Sequence, residues 1–157
     1  MKKINNKSGD MNIYAVALVM AVLIIFAGTF EYFRVLETAN QIKSKTQSTL
    51  DSFTMQTARE IYDSVKQGSV TANSINSDSF LLLLKNALSA NGSGNSFANS
   101  YDGATRFALN NCQVAYSISS TLNIRCTYSL QIPTYLFGNQ IFAPEIPVQL
   151  HSDYQIK

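Results

Sequence analysis

The chain has 157 residues, room for one small domain plus an appendage, and it is 46% hydrophobic yet only 14% charged, well below the usual share of charge in a soluble domain. One His and two Cys cannot furnish a closed four-ligand zinc site, so metal chemistry built on several such ligands is excluded. The net charge of +2 comes from Lys2, Lys3 and Lys7 against Asp10; from Glu31 onward nine acidic residues balance nine basic ones, which leaves no basic stripe for nucleic acid.

After a short cationic leader (residues 1–12), Ile13 to Phe30 (IYAVALVMAVLIIFAGTF) runs eighteen residues without a charge. At the helical rise this covers about 27 Å, enough for the hydrocarbon core of a bilayer. A core helix of a globular domain would carry a polar stripe, and this segment has none. Tyr14 at one end and Tyr32 and Phe33 at the other suit interfacial aromatic anchors. With three lysines ahead of the span, the positive-inside rule predicts a single-pass protein of the cell membrane, N-terminus cytoplasmic and C-terminal domain extracytoplasmic. A cleaved secretory signal is the rival reading. It usually has a shorter apolar run and a small-residue, turn-forming stretch after it, whereas here the chain continues as helix.

That continuation spans residues 31–67. Apolar or small residues recur at Ala39, Ile42, Thr46, Leu50, Phe53, Thr57, Ile61 and Val65, in steps of three or four. Gln41, Lys43, Lys45, Gln47, Asp51, Arg59, Asp63 and Lys66 fill the solvated face. Gly68 follows where a helix C-terminus favours glycine. One helix from Ile13 to Gln67 would be roughly 80 Å long. Its amphipathic half must pack, either on its own C-terminal region or in a bundle of like helices; Glu31, Arg34, Ile42, Leu50, Phe53 and Ile61 are the packing residues expected.

Residues 68–157 form the extracytoplasmic part. Ser69 to Ser77 reads as a polar linker, and Asp78 or Ser79 as the cap of a short helix carrying Phe80, Leu81, Leu82, Leu83, Leu84, Ala87 and Leu88. Four consecutive leucines predict burial on more than one side, as in a helix wedged between a sheet and the long helix. Asn91 to Gly103 (NGSGNSFANSYDG) reads as a loop; it has neither the preceding strand nor the Lys-Ser/Thr of a phosphate cradle. The period then becomes two. Ile124, Cys126, Tyr128, Leu130 and Ile132 alternate with polar residues, the signature of an antiparallel strand with one buried face. Cys112, Val114, Tyr116 and Ile118 form the strand before it, and Ile146, Val148 and Leu150 a third that extends toward Tyr154 and Ile156. The fold class expected is α+β: a long N-terminal helix, transmembrane then amphipathic, a short second helix, and a small antiparallel sheet packed on the outer half of the first.

If the hairpin centres on Ser119, Cys112 and Cys126 stand directly opposite one another, and opposed positions come close enough for a disulfide. Such a bond is chemically allowed outside the cytoplasm. A two-residue shift of register would instead leave two buried thiols.

The segment Lys7-Ser8-Gly9, the span from Ile13 to Phe30, and Phe30-Glu31-Tyr32-Phe33-Arg34 together resemble the TadE-like family of tight-adherence pilus systems, within the wider type IV pilin-like plan. The family commonly carries an acidic residue and an arginine three apart after its apolar run, as Glu31 and Arg34 do. The final strands, with Cys126 and a Pro-Val-containing end, are similar more weakly. The resemblance implies a prepilin peptidase as a partner, acting between Gly9 and Asp10. The fifth residue after Gly9 is Tyr14, however, where peptidase substrates usually carry Glu. Without the family, Gly9-Asp10 reads as a helix N-terminal boundary capped by Asp10.

These features predict a non-catalytic pilin-like (pseudopilin) or accessory component of a tight-adherence-type pilus or secretion system. Its partners would be membrane lipid and other apparatus subunits, with no nucleic acid and no cofactor. The alternative is a single-pass, membrane-anchored binding module outside any filament. An enzyme would have to use Glu60 with Asp63, or Ser152 between His151 and Asp153, and neighbours on a strand point to opposite faces.

Overall fold

The computed structural model describes residues 7–66, 75–119, 121–136 and 138–155, with side chains of the first segment described from 12 to 62. The expected helix end at Gln67–Gly68, the linker from Ser69 to Ser74, the turn residue Ser120, Ile156, and the side chains of Gly9, Asp10, Asp63 and Val65 lie outside those described.

A single helix, α1 (Lys7–Lys66), forms the spine. No proline interrupts it, and 60 residues at the standard rise give about 90 Å. Its inner half stands bare: the apolar window is long enough to cross a membrane, and none of it is buried within the protein. Its outer half is covered. Ile42, Thr46, Leu50, Phe53, Thr54, Thr57, Ala58 and Ile61 are buried, so the stripe read at steps of three and four is the core face of the domain. Two threonines enter this core without an unmet hydroxyl, because Thr46 Oγ1 donates to the Ile42 carbonyl and Thr54 Oγ1 to the Leu50 carbonyl, both at 2.8 Å.

The second helix, α2 (Ser77–Ala87), is capped by Asn76, whose side chain accepts from the Asp78 amide; the cap lies two residues before the expected Asp78. Phe80 and Leu84 point inward, with Phe80 against Phe53 at a ring separation of 5.4 Å. The helix lies between α1 and the sheet, yet Leu82 and Leu83 face solvent, so the leucine run is buried on one side only.

Among the described residues seven strands follow: β1 (Asn91–Ser93), β2 (Ser96–Tyr101), β3 (Ala104–Ile118), β4 (Thr121–Gln131), β5 (Thr134–Leu136), β6 (Asn139–Phe142) and β7 (Glu145–Gln155). Five make one antiparallel sheet in the order β1-β2-β3-β4-β7, and β5 and β6 form a separate hairpin between β4 and β7. On β4 the residues Leu122, Ile124, Cys126, Tyr128 and Leu130 are all buried, the alternation expected of a strand with one covered face.

The segment Asn91 to Gly103, read from its glycines as a loop, is β1 and β2 with their turns. Asp102 and Gly103 both take positive φ between the paired residues Tyr101 and Ala104, which is the two-residue hairpin that Asp-Gly favours. Gly92 is required by proximity, since a Cβ there would lie 2.6 Å from the Ser96 carbonyl oxygen.

The hairpin of β3 and β4 pairs Ile118 with Leu122 and Val114 with Cys126, so its centre falls one residue beyond Ser119. Further along, Asn111 and Cys112 together oppose Tyr128. Asn111 has φ +54°, a left-handed conformation that asparagine tolerates, and the extra residue is a bulge. It switches the parity of β3, whose buried residues are Phe107 and Leu109 before the bulge and Cys112 after it.

Candidate functional site

The turn of α1 immediately after the apolar run carries a salt bridge. Glu31 and Arg34 are three apart and hence on one face of the helix. Arg34 grips the carboxylate with two donors, Nε to Oε2 at 2.9 Å and Nη2 to Oε1 at 2.6 Å. Each partner then reaches a strand about a hundred residues away. Arg34 Nη2 donates to the Pro133 carbonyl at 2.6 Å, and Glu31 Oε1 accepts from the Tyr135 amide at 2.7 Å. The pair is therefore a clip that holds the start of β5 on the helix.

Proline explains the acceptor. Pro133 has no amide hydrogen and confines the chain at the end of β4, leaving its carbonyl to be met by a side chain. The Arg34 hydrogen bond holds the Glu31 carboxyl below the usual carboxylate range, with the Tyr135 amide acting in the same direction, against a partial desolvation that pushes it up. Arg34 is shifted upward, chiefly by the same hydrogen bond. Both groups are charged at neutral pH, and their charges close on each other.

Beyond the clip, the β5–β6 hairpin pairs Thr134 with Phe142 and Leu136 with Asn139, and Thr134 Oγ1 donates to the Phe142 carbonyl at 2.6 Å. Tyr135 Oη reaches the Thr105 carbonyl at 3.3 Å, linking the hairpin to β3. Ile141 and Phe142 are each 63% exposed; Tyr32 and Phe33, between Glu31 and Arg34 in the sequence, are exposed too.

The two cysteines do not form the expected bond. Cys126 faces Val114, and Cys112 is displaced by two residues onto the diagonal, where separations of about 7–8 Å exceed what a disulfide spans. Both are fully buried thiols. Burial pushes each up to about 12, so they are protonated and poor nucleophiles at neutral pH. Tyr128, between Cys126 and Leu130 on the buried face, is likewise raised to about 12 by burial, and its hydroxyl lies 3.5 Å from Thr46 Oγ1 on α1.

The remaining residues singled out by the sequence are dispersed. Ile42, Leu50, Phe53 and Ile61 lie in the core, covered by this chain's own sheet and second helix. Gly9 and Asp10 fall inside α1, which starts at Lys7, so Asp10 is not the residue that precedes the helix. On β7, Ser152 is buried while His151 and Asp153 face outward on the other side. The His151 carbonyl accepts from Gln47, and the Asp153 carboxylate accepts from the Asn123 side chain. The three consecutive residues thus form no triad.

Sequence reading missed Pro133 and Tyr135 as partners of Glu31 and Arg34. A signal was present: a proline closing the strongest alternation in the chain, followed by Thr-Tyr-Leu and then Gly138, is a strand end followed by a hairpin. Compared with family models, with curated proteins and with solved structures, the chain finds no match.

Proposed function

We propose that this chain is a membrane-anchored, non-catalytic, pilin-like (pseudopilin) or accessory component of a tight-adherence-type pilus or secretion system. The observation that carries the reading is the division of one uninterrupted helix: a bare apolar half of membrane-spanning length, and an outer half serving as the spine of a small α+β domain. The apolar half holds the subunit in the bilayer with the N-terminus cytoplasmic. The outer half and its sheet present a surface outside. The Glu31–Arg34 clip, at the position where the TadE-like family carries its acidic residue and arginine, ties the sheet to the helix just beyond its apolar half, so that a force on the sheet passes into that half.

A second reading, an anchored binding module outside any filament, draws support from the packing. The outer stripe of α1 is consumed inside the chain, and the face left outward, Asn40, Lys43, Ser44, Gln47, Ser48 and Asp51, is polar. Lateral helix contacts between subunits would then be confined to the apolar half.

Intact mass of the protein from membrane and sheared-surface fractions tests both. A species lacking the residues through Gly9 in the sheared fraction supports the pilin-like reading, provided deletion of the gene also impairs pili or secretion. Full-length protein confined to the membrane, with pili and secretion intact after deletion, supports the anchored module. Loss of everything to about Thr29 overturns the membrane topology common to both.

A further inference from the structure

We infer that the β5–β6 hairpin is an interfacial wedge that lies in the headgroup layer of the outward-facing leaflet, with Ile141 and Phe142 against the upper acyl chains. The inference rests on Ile13–Phe30 spanning the membrane as proposed above.

Three contacts trace the chain along α1: the Tyr128 hydroxyl is level with Thr46, the Pro133 carbonyl with Arg34, and the Tyr135 amide with Glu31. From Thr46 back to Glu31 the helix descends about 22 Å. From Tyr128 to Tyr135 an extended chain covers about 23 Å. The two lengths agree, so β4 and β5 run down the helix toward the membrane and reach it one residue beyond Phe30. Glu31 to Arg34 occupy about 6 Å of rise above the apolar run. The interfacial layer on each side of a bilayer is itself about 5–7 Å thick. Whatever is docked on this turn stands within that layer.

No charged residue occurs between Arg125 and Glu145, a run that includes the whole hairpin. Ile141 and Phe142 are exposed at 63% each, and on the clip turn of α1 Tyr32 and Phe33 are exposed at 64% and 61%. Aromatic and apolar residues at this depth are the composition of an interfacial belt. The two charges that α1 itself carries on this turn, Glu31 and Arg34, are paired with each other. The backbone is also prepared for scarce water, because β5 pairs with β6, and Glu31 and Arg34 satisfy Tyr135 and Pro133.

The absence of tryptophan makes the test direct. Single-tryptophan variants Ile141→Trp and Phe142→Trp of the full chain are placed in phosphatidylcholine vesicles brominated either high on the acyl chain or near its terminal methyl. Ile24→Trp reports the span, and Leu82→Trp on α2 reports the distal surface. Resistance of Cys112 and Cys126 to alkylation before denaturation certifies that each variant is folded. The expected result is strong loss of emission from Ile141→Trp and Phe142→Trp with the shallow label, little with the deep one, loss from Ile24→Trp with the deep label, and none from Leu82→Trp. Emission from the hairpin variants unaffected by either lipid while Ile24→Trp is quenched overturns the wedge and leaves the span standing. Hairpin tryptophans shielded from both lipid and aqueous quencher would mean a protein covers this face, which also overturns it. An unquenched Ile24→Trp removes the span, and the wedge with it.

Discussion

The two halves of α1 have the same backbone and opposite surroundings. Between Ile13 and Phe30 nearly every side chain is apolar and faces outward; between Ala39 and Ile61 only one stripe is apolar, and it faces inward. The inner half is left uncovered by the rest of the described chain and is of a length and composition compatible with a membrane span. The outer half carries its solvent with it, in the form of a sheet and a second helix. The same substitution should therefore have different consequences on either side of Glu31.

The largest contrast is expected from leucine truncation. Leu50→Ala, at a fully buried site, should cost about 2–5 kcal/mol of domain stability through lost burial and the cavity left behind. Leu23→Ala in the inner half should leave domain stability unchanged and weaken only partition into the membrane. Chemical denaturation of the detergent-solubilised full chain, followed by near-UV absorption of the tyrosines, measures the first, and flotation with vesicles the second. Equal losses of domain stability for the two variants would break the comparison.

Alkali should attack only the outer half. Cys112, Cys126 and Tyr128 are raised to about 12 when folded, above their ordinary values of 9.0 for the thiols and 10.0 for the phenol. A raised value favours the neutral form in the fold, so this stability is complete below about 9 and is lost as pH climbs through about 12. Double substitution to Cys112→Ala and Cys126→Ala should flatten part of that loss. An unchanged alkaline profile would mean that the thiols are not the groups titrating.

The clip between the halves should yield a smaller and more local effect. Glu31→Gln weakens charge-assisted hydrogen bonds of a kind worth about 1.5–3 kcal/mol each when intact in a shielded site. With Glu31 a fifth exposed and Arg34 over a third exposed, the effect should fall toward or below the lower end. Amide exchange at Tyr135 should accelerate while the β4 amides stay protected. Acid should act similarly: because the Glu31 value is depressed below 4.5, its contribution is whole above that pH and is lost as pH falls through the lower folded value. Faster exchange spread over β4 and β7 would show that the clip supports the whole sheet.

The smallest effect concerns the bulge. Asn111→Gly should be nearly neutral, and Asn111→Val should cost about 1–2 kcal/mol, because a branched side chain resists positive φ. A neutral valine would mean that the bulge relaxes at little cost.

These contrasts also mark what could be read from the amino acids. The stripe of α1 and the alternation of β4 are long and regular, and both appear in the fold where their spacing puts them. What failed was register. A hairpin centre displaced by one residue moved Cys126 from Cys112 to Val114, and turn geometry at that scale is not written in hydrophobic periodicity. The bulge at Asn111 hid half of β3, since the buried face changes parity there and no single period fits. β1 and β2 were obscured by their glycine, serine and asparagine, although Asp102-Gly103 was a legible turn. The partners of Glu31 and Arg34 are a backbone carbonyl and amide a hundred residues away, so no side-chain spacing pointed to them, only the strand-ending proline and the hairpin after it.

The displaced cysteines have a consequence for how the chain matures. In the folded protein both sulfurs are sealed from solvent and out of bonding reach, so the finished domain is indifferent to the redox state of its compartment. In the unfolded chain the same two thiols are only fourteen positions apart and free to meet, and a bond between them would fix a pairing that the native register forbids. A chain that closes its sheet before it meets an oxidant avoids that bond; one that meets the oxidant first has to break it by thiol exchange before β3 and β4 can pair.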